Sequence, residues 1–412
     1  MSDAMELLND PDVVECPFGL YRMLLENEPV VGIPGVGVLV TRYDHVQEVT
    51  RHPELYSSAY STGFASTGLT INPRPPAVDE VLAQGYPEVQ ALIFTDDPVH
   101  RRHRGLVSQG FTPRRVAQLS DTVRAIAGDL IDRFAGRGNV ELLTAYATPL
   151  PLTVISDALG VPRRDAPVFK RWSDAVMELV GRVVPEDEYV AVAHRLLDFQ
   201  RYFAALIDER RNEPRDDLLT DLVRAEMEGE HPLSKSELLN IITQLLVAGN
   251  ETTANALCAG MLLLLEQPRL TARIATDRQL IPNLIEEVLR LESPIQGFPR
   301  MATEDTELGG VKIPKGSRVI LMYGAGNRDE QEFPCPDEVD LDRPNLRSHL
   351  AFSHGPHHCM GAALARAELQ ISFELLLERL PNLRLGDGFI AEHKPSLMVR
   401  GLKELHLAFD RC

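Results

Sequence analysis

No stretch of this sequence offers about 20 apolar residues free of charge, the length a helix needs to cross a bilayer. The most apolar segment, near 238–265, carries Glu251 in its middle. Residues 1–14 are polar and acidic, the pattern of neither a signal peptide nor an anchor. Positive charge is scarce: 42 Lys and Arg stand against 60 Asp and Glu, a formal net charge of −18. Such a chain repels nucleic acid and anionic membrane surfaces. Cysteine is scarce too. Cys16, Cys258, Cys335, Cys359 and Cys412 are odd in number and share no repeated spacing. A disulfide framework is therefore not expected, and a reducing cytoplasm fits. Internal repeats, low-complexity tracts and linkers are missing as well. The short Gly-, Ser- and Pro-rich stretches, 57–70 and 72–76, lie inside the N-terminal third. With 44% hydrophobic residues the chain can bury a large core. The expectation is one domain over 1–412, helix-rich with a small strand-rich N-terminal lobe, and a monomer.

What is present is helical periodicity. Residues 116–134 align Leu119, Val123, Ile126, Leu130 and Ile131 on one face. Residues 150–159 form a second helix, stopped by Gly160 and Pro162, and 188–210 a third. Ser234 and Glu237 have the spacing of a capping box. They open the longest helix, which runs toward Glu266 and spans ~45 Å. Strands are few: 36–41, a hairpin of 308–313 and 318–323 around Pro314-Lys315-Gly316, and a last pair near 397–409. They do not alternate with helices, so the expected class is mainly α with a small β region rather than a doubly wound sheet or barrel.

Residues 352–361 read Phe-Ser-His-Gly-Pro-His-His-Cys-Met-Gly, and an apolar helical pattern follows. Cys359 thus stands at a helix start, where free N–H groups and the positive dipole end stabilise a thiolate. Gly355 and Gly361 permit the tight backbone approach that a flat cofactor needs. By itself the segment also fits a buried cysteine among loop histidines. It fits a zinc site of His354, His357, His358 and Cys359 less well, because no second ligand pair has zinc spacing.

Phe-x-x-Gly-x-x-x-Cys-x-Gly before a helix resembles the haem-binding loop of cytochromes P450, and three distant segments agree with it. Glu287 and Arg290, at i and i+3, suit an ordinary surface ion pair. They also match the family's Glu-x-x-Arg, with Arg343 as its third member, a structural lock on the haem loop. Ala248-Gly249-Asn250-Glu251-Thr252-Thr253 interrupts an apolar helix with glycine and polar groups. A packing compromise explains that, and so does an oxygen pocket opened at Gly249, with Thr252 bonding back to carbonyl 248. His100 and Arg104, at i and i+4, suit a solvated basic face or an anionic partner. The family's counterparts bind a haem propionate, as do those of Arg300 and His357. Ser353 and His358 depart from the usual Gly and aromatic residue.

The resemblance covers essentially the whole chain and is to soluble bacterial members. It implies the P450 fold, with haem b between the long central helix and the Cys-loop helix. Cys359 is then the axial iron ligand, and Phe352, Gly361, Ala248 and Gly249 line the cofactor. It implies a monooxygenase that inserts one atom of dioxygen into a hydrophobic small molecule, with Glu251 and Thr252 delivering protons. Ile93, Thr95, Val247, Ala248, Ile295, Phe298 and Met398 are the expected substrate-facing residues. The sequence carries no flavin or Fe–S motif, so electrons are expected from a ferredoxin and its ferredoxin reductase. Arg101, Arg102, Arg104, Arg114, Arg115 and Arg366 are the candidates to dock it, steered by charge. The alternatives are a peroxide-driven peroxygenase and a non-catalytic haem-thiolate sensor or carrier, neither of which needs the Glu251–Thr252 pair.

Overall fold

The structure, a computed structural model, describes residues 10–60, 74–179 and 184–411. Most of the short Gly- and Pro-rich stretch of the N-terminal third falls outside them. The helices that matter most are α1 (Tyr43–Arg51), α2 (Val99–Val107), α3 (Pro113–Asp132), α4 (Glu186–Asn212), α5 (Lys235–Leu265), α6 (Ile281–Glu292) and α7 (Ala362–Arg379). The strands are β1 (Val30–Ile33), β2 (Gly37–Val40), β3 (Tyr56–Ser57), β4 (Asn139–Glu141), β5 (Phe298–Ala302), β6 (Thr306–Leu308), β7 (Val311–Ile313), β8 (Arg318–Leu321), β9 (Arg384–Leu385) and β10 (His406–Ala408). The chain divides into two compact units. One comprises the residues up to Ser57, Ser120–Leu150 and Thr252–Cys412; the other comprises Ser58–Leu119 and Pro151–Glu251.

The first unit holds a five-stranded sheet in the order β1-β2-β8-β5-β3, with β2 and β8 parallel and the other pairs antiparallel. Alternation decides what each strand buries. Val38, Val40, Val319 and Leu321 point to one face, where Tyr43, Val46 and Val49 of α1 cover them. Leu39 and Ile320 point to the other, under Leu20, Tyr21 and Leu24. The central strands are therefore apolar on both sides.

Two strand pairings differ from the sequence expectation. Segments 308–313 and 318–323 do not form a hairpin. β6 pairs with β7 through Gly309-Gly310, whose φ angles are +56° and +80°. Two consecutive positive φ angles suit the two-residue turns that close hairpins. β8, apolar on both faces, instead joins the larger sheet between β2 and β5. Of the last pair expected near 397–409, one strand falls there and its partners lie elsewhere in the chain. β10 pairs with β4 and β9, while Val399 and Leu402 make only isolated bridges, to Ile295 and His393.

In the second unit Val78, Val81 and Leu82 pack on Tyr189, Val192, Leu196 and Leu197 of α4 and on Val247 of α5. The capping box at the start of α5 forms as expected. The Ser234 N–H donates to Glu237 Oε2 at 2.7 Å, and the Glu237 N–H donates to Ser234 Oγ at 3.2 Å. Over its 31 residues α5 spans ~46 Å. Among the described residues no helix is long and apolar enough to cross a membrane.

Candidate functional site

The cysteine loop belongs to the first unit. The Leu350 N–H donates to Asn327 Oδ1 at 2.6 Å and fixes the loop's entry. Ser353 follows at φ +59°, a region that favours glycine, and its Oγ lies 3.0 Å from the Tyr323 hydroxyl. Gly355, at φ +72°, approaches α1 so closely that a Cβ would stand 2.7 Å from the Thr50 carbonyl oxygen. Its glycine therefore serves packing against α1, where the sequence suggested approach to a cofactor. The Cys359 N–H closes the loop by donating to the Phe352 carbonyl at 2.9 Å. Cys359 is exposed, and α7 begins three residues later at Ala362, with Gly361 as its cap. The thiol thus sits just beyond the positive end of an 18-residue helix.

Glu287, Arg290 and Arg343 come together as a buried cluster. The Arg290 guanidinium donates to both Glu287 oxygens, at 2.7 and 2.9 Å, and Arg343 Nε donates to Glu287 Oε1 at 3.3 Å. Further bonds run from Arg290 to the carbonyls of Asn327, Pro336 and Glu338, and from Arg343 to that of Pro334. Both guanidiniums lie over the buried ring of Phe333. This is no surface pair: one carboxylate organises the segment leading to the cysteine loop. Replacing Glu287 by Gln leaves two buried cations short of their anion. We expect that variant to lose about 3–5 kcal/mol of stability, checked by denaturant unfolding.

The proposed proton-relay residues sit halfway along α5. Glu251 and Thr252 are half-buried, and just before them Ala248 and Gly249 are exposed, with open space where a Gly249 Cβ would project. Thr253 is buried and bonds to Glu368, a fully buried carboxyl on α7 that sequence reasoning missed. Burial pushes the Glu368 carboxyl up to about 8, against the hydrogen bond from Thr253. Its unfolded counterpart ionises near 4.5. Stability from the neutral acid is therefore complete below about pH 4.5 and is lost as pH rises through about 8. Glu368→Gln should melt above the parent chain at pH 8.5, and the gap should shrink toward pH 5, as read by thermal scans.

Arg300 on β5 is buried. It donates to the Pro299 carbonyl at 2.9 Å and lies over the Phe298 ring, and among the described residues no carboxylate pairs with it. A buried cation without a counter-ion calls for an anionic ligand. Beside it Ile295, Phe298 and Met398 are partly buried and apolar, tied by the Gln296 N–H to the Met398 carbonyl at 2.8 Å. The remaining pocket candidates belong to the second unit. There Gln244 of α5 holds the segment of Ile93 and Thr95, accepting from the Ile93 N–H at 3.2 Å and donating to the Ala91 carbonyl at 2.8 Å. His100 on α2 is buried, and burial followed by the nearby Arg104 pushes its pKa down. His357 is half-buried in the cysteine loop.

The candidate docking arginines are largely spoken for. Arg101 pairs with Asp97, Arg102 with Glu237, Arg115 with Asp216 and Asp221, and Arg366 with Glu286. The side chain of Arg114 lies outside the described residues. The positive patch suggested by the sequence is thus mostly balanced by local carboxylates. Among the described residues no group of three or more His, Cys, Asp or Glu side chains converges as for a metal ion.

The family model for cytochrome P450 matches residues 72–382. The chain belongs to the cytochrome P450 family. Mycinamicin IV hydroxylase/epoxidase of Micromonospora griseorubida is 40% identical over 376 residues, 89% of each chain. The steroid C26-monooxygenase of Mycobacterium tuberculosis is 34% identical over 390 residues, 94% of this chain and 92% of its own. Among solved structures, CYP109E1 from Bacillus megaterium in complex with testosterone superposes with a TM-score of 0.81 at 30% identity, over 96% of this chain and 99% of its own. This P450 is therefore a monooxygenase with the mainly helical fold of its family, which carries haem iron on a cysteine thiolate. Its residues fit that group. Within the first unit Cys359 offers an exposed sulfur and Arg300 a buried cation that, among the described residues, no carboxylate pairs with.

Proposed function

We propose that this P450 inserts one atom of dioxygen into a hydrophobic small molecule, with Cys359 as the axial thiolate of haem b. The observation that carries the reading is the exposed Cys359 in a loop held from both ends. Its N–H is bonded to Phe352, and the segment before it is anchored on Glu287. Haem, when bound, supplies the iron at which dioxygen is reduced. Arg300 and His357, with His100 and Arg104, would hold its propionates through charge-assisted bonds, as the family pattern suggests. Phe352 and Gly361 would border it, and Ala248 and Gly249 would leave room for it and for oxygen. Glu251 takes protons from solvent, and Thr252 presents its hydroxyl to pass them inward. The other oxygen atom leaves as water.

Partly buried Ile295, Phe298 and Met398 favour an apolar substrate, and the names of the mycinamicin IV hydroxylase/epoxidase and the steroid C26-monooxygenase agree with one. Ile93, Thr95 and Val247 are the further pocket residues. The electrons come from a ferredoxin and its reductase, since these 412 residues hold no flavin or Fe–S motif. Because most of the candidate arginines are already paired, we expect reduction by an acidic ferredoxin to depend only weakly on salt. A steep dependence would show that those pairs open on docking. The whole chain acts as one domain, as a monomer in the cytoplasm.

The direct test is the spectrum of the reduced, CO-bound protein, which should show the red-shifted Soret band of thiolate ligation. A panel of terpenoids, steroids, fatty acids and aromatic acids, read by the ferric spin-state shift, then sorts the substrate class. A shift given only by the aromatic acids would overturn the hydrophobic assignment.

A further inference from the structure

Two adjacent acids on α6 point to two different anchors. Glu287 holds the segment before the cysteine loop. Glu286, also buried, holds the loop itself. Arg366 of α7 donates to both Glu286 oxygens, at 2.7 and 2.9 Å, and His349 Nε2 lies 3.0 Å from Oε2. The Ala351 N–H donates to His349 Nδ1 at 3.3 Å. A ring that accepts at Nδ1 and donates at Nε2 is neutral. Its burial, which pushes the His349 pKa down, agrees. Burial works to raise the Glu286 carboxyl, yet its bonds to His349 and Arg366 hold it at about 2, so it is an anion. The cluster therefore contains one negative and one positive charge that cancel.

Both partners of Glu286 lie against Phe352. The Arg366 guanidinium stands 4.5 Å from the ring centroid, and the His349 ring 5.8 Å from it. The Phe352 carbonyl in turn accepts the Cys359 N–H at 2.9 Å. Glu286 thus reaches the cysteine through a charged pair, an aromatic ring and one backbone hydrogen bond, all within one compact unit.

We propose that Glu286, His349 and Arg366 are positioning residues for Cys359, clamping the loop through Phe352 and balancing the charge that its sulfur experiences. The proposal rests on the reading of Cys359 as axial ligand. Partners of this kind commonly tune a metal's potential. Removing the carboxylate charge leaves Arg366 uncompensated beside the loop. A positive charge favours the more electron-rich state, so the ferric/ferrous potential rises.

The test uses the haem-loaded full chain and two readouts besides turnover: the potential, and the rate at which the reduced CO complex loses its red-shifted band. Glu286→Gln should raise the potential and lose the band at least about tenfold faster than the parent. Glu286→Gln combined with Arg366→Gln should return the potential toward the parent value while the band still decays fast. His349→Gln keeps the charged pair, so it should leave the potential unchanged and speed the decay. A Glu286→Gln protein with parent potential and parent decay overturns the clamp, as does a double variant that keeps the raised potential. If Glu286→Gln fails to hold haem, His349→Gln decides: parent decay there overturns the proposal and fast decay supports it. A parent protein without the red-shifted band instead refutes the assignment of Cys359.

Discussion

With Cys359 replaced by Ser, the protein should remain folded and lose the red-shifted Soret band and all monooxygenase turnover. The expectation has two parts, and the structure separates them. Cys359 is exposed, so its sulfur contributes little to any core. Serine has nearly the same size, and its N–H can still donate to the Phe352 carbonyl that closes the loop. In the haem-free chain the stability change should therefore stay within about 0.5 kcal/mol, as for surface changes generally. The chemistry changes much more. A serine hydroxyl does not ionise near neutral pH and is a poor, hard donor, whereas a thiolate pushes electron density toward the metal and favours O–O cleavage. The measurement pairs a thermal scan with the reduced CO spectrum. Cys16→Ser and Cys335→Ser, both at exposed thiols, should leave the band in place. A band that survives in Cys359→Ser and disappears in Cys335→Ser would transfer the ligand to Cys335.

The parts of this molecule legible in the sequence are those fixed by local chemistry. The capping box at Ser234 and Glu237 forms where its spacing puts it, because both hydrogen bonds lie within one turn. The ten-residue cysteine segment, Glu287 with Arg290, and the Gly249–Thr252 stretch were visible for the same reason. Pairing between distant segments was less so. The sequence reads 308–313 as one strand of a hairpin with 318–323, but Gly309 and Gly310 turn the chain back inside it. The Glu286 clamp gave almost no local signal. Its members are separated by 63 and 80 positions, and an acid beside the more conspicuous Glu287 reads as another exposed charge. The one available hint was a Glu-Glu pair on a helix otherwise flanked by Ile285, Val288 and Leu289. In the sequence Arg366 reads as a docking cation for a partner; its bond to Glu286 belongs to the fold. Ser353 shows how such a departure is tolerated. The backbone adopts the positive φ that glycine would favour, and the Tyr323 hydroxyl lies within hydrogen-bond distance of the serine.

Thr252→Ala should bind haem and substrate normally yet release most of its reducing equivalents as hydrogen peroxide. Alanine is the better helix former by a few tenths of a kcal/mol, and Thr252 is only half-buried, so α5 should keep its shape. What disappears is the hydroxyl next to Glu251. General acid assistance typically contributes on the order of 10²–10⁴-fold to a proton transfer. Its loss slows productive protonation, and the competing release of peroxide overtakes it. The readouts are product formed and peroxide formed per dioxygen consumed. Product yield should fall roughly tenfold or more, while the spin-state shift on substrate binding is unchanged. Thr253→Ala is the informative control. Thr253 is buried against Glu368, so its loss should lower the melting temperature and leave coupling near the parent value. If Thr252→Ala stays coupled, Thr252 has no part in proton delivery. If Thr253→Ala uncouples as strongly, the proton route runs along the Glu368 side of the helix instead of past Glu251.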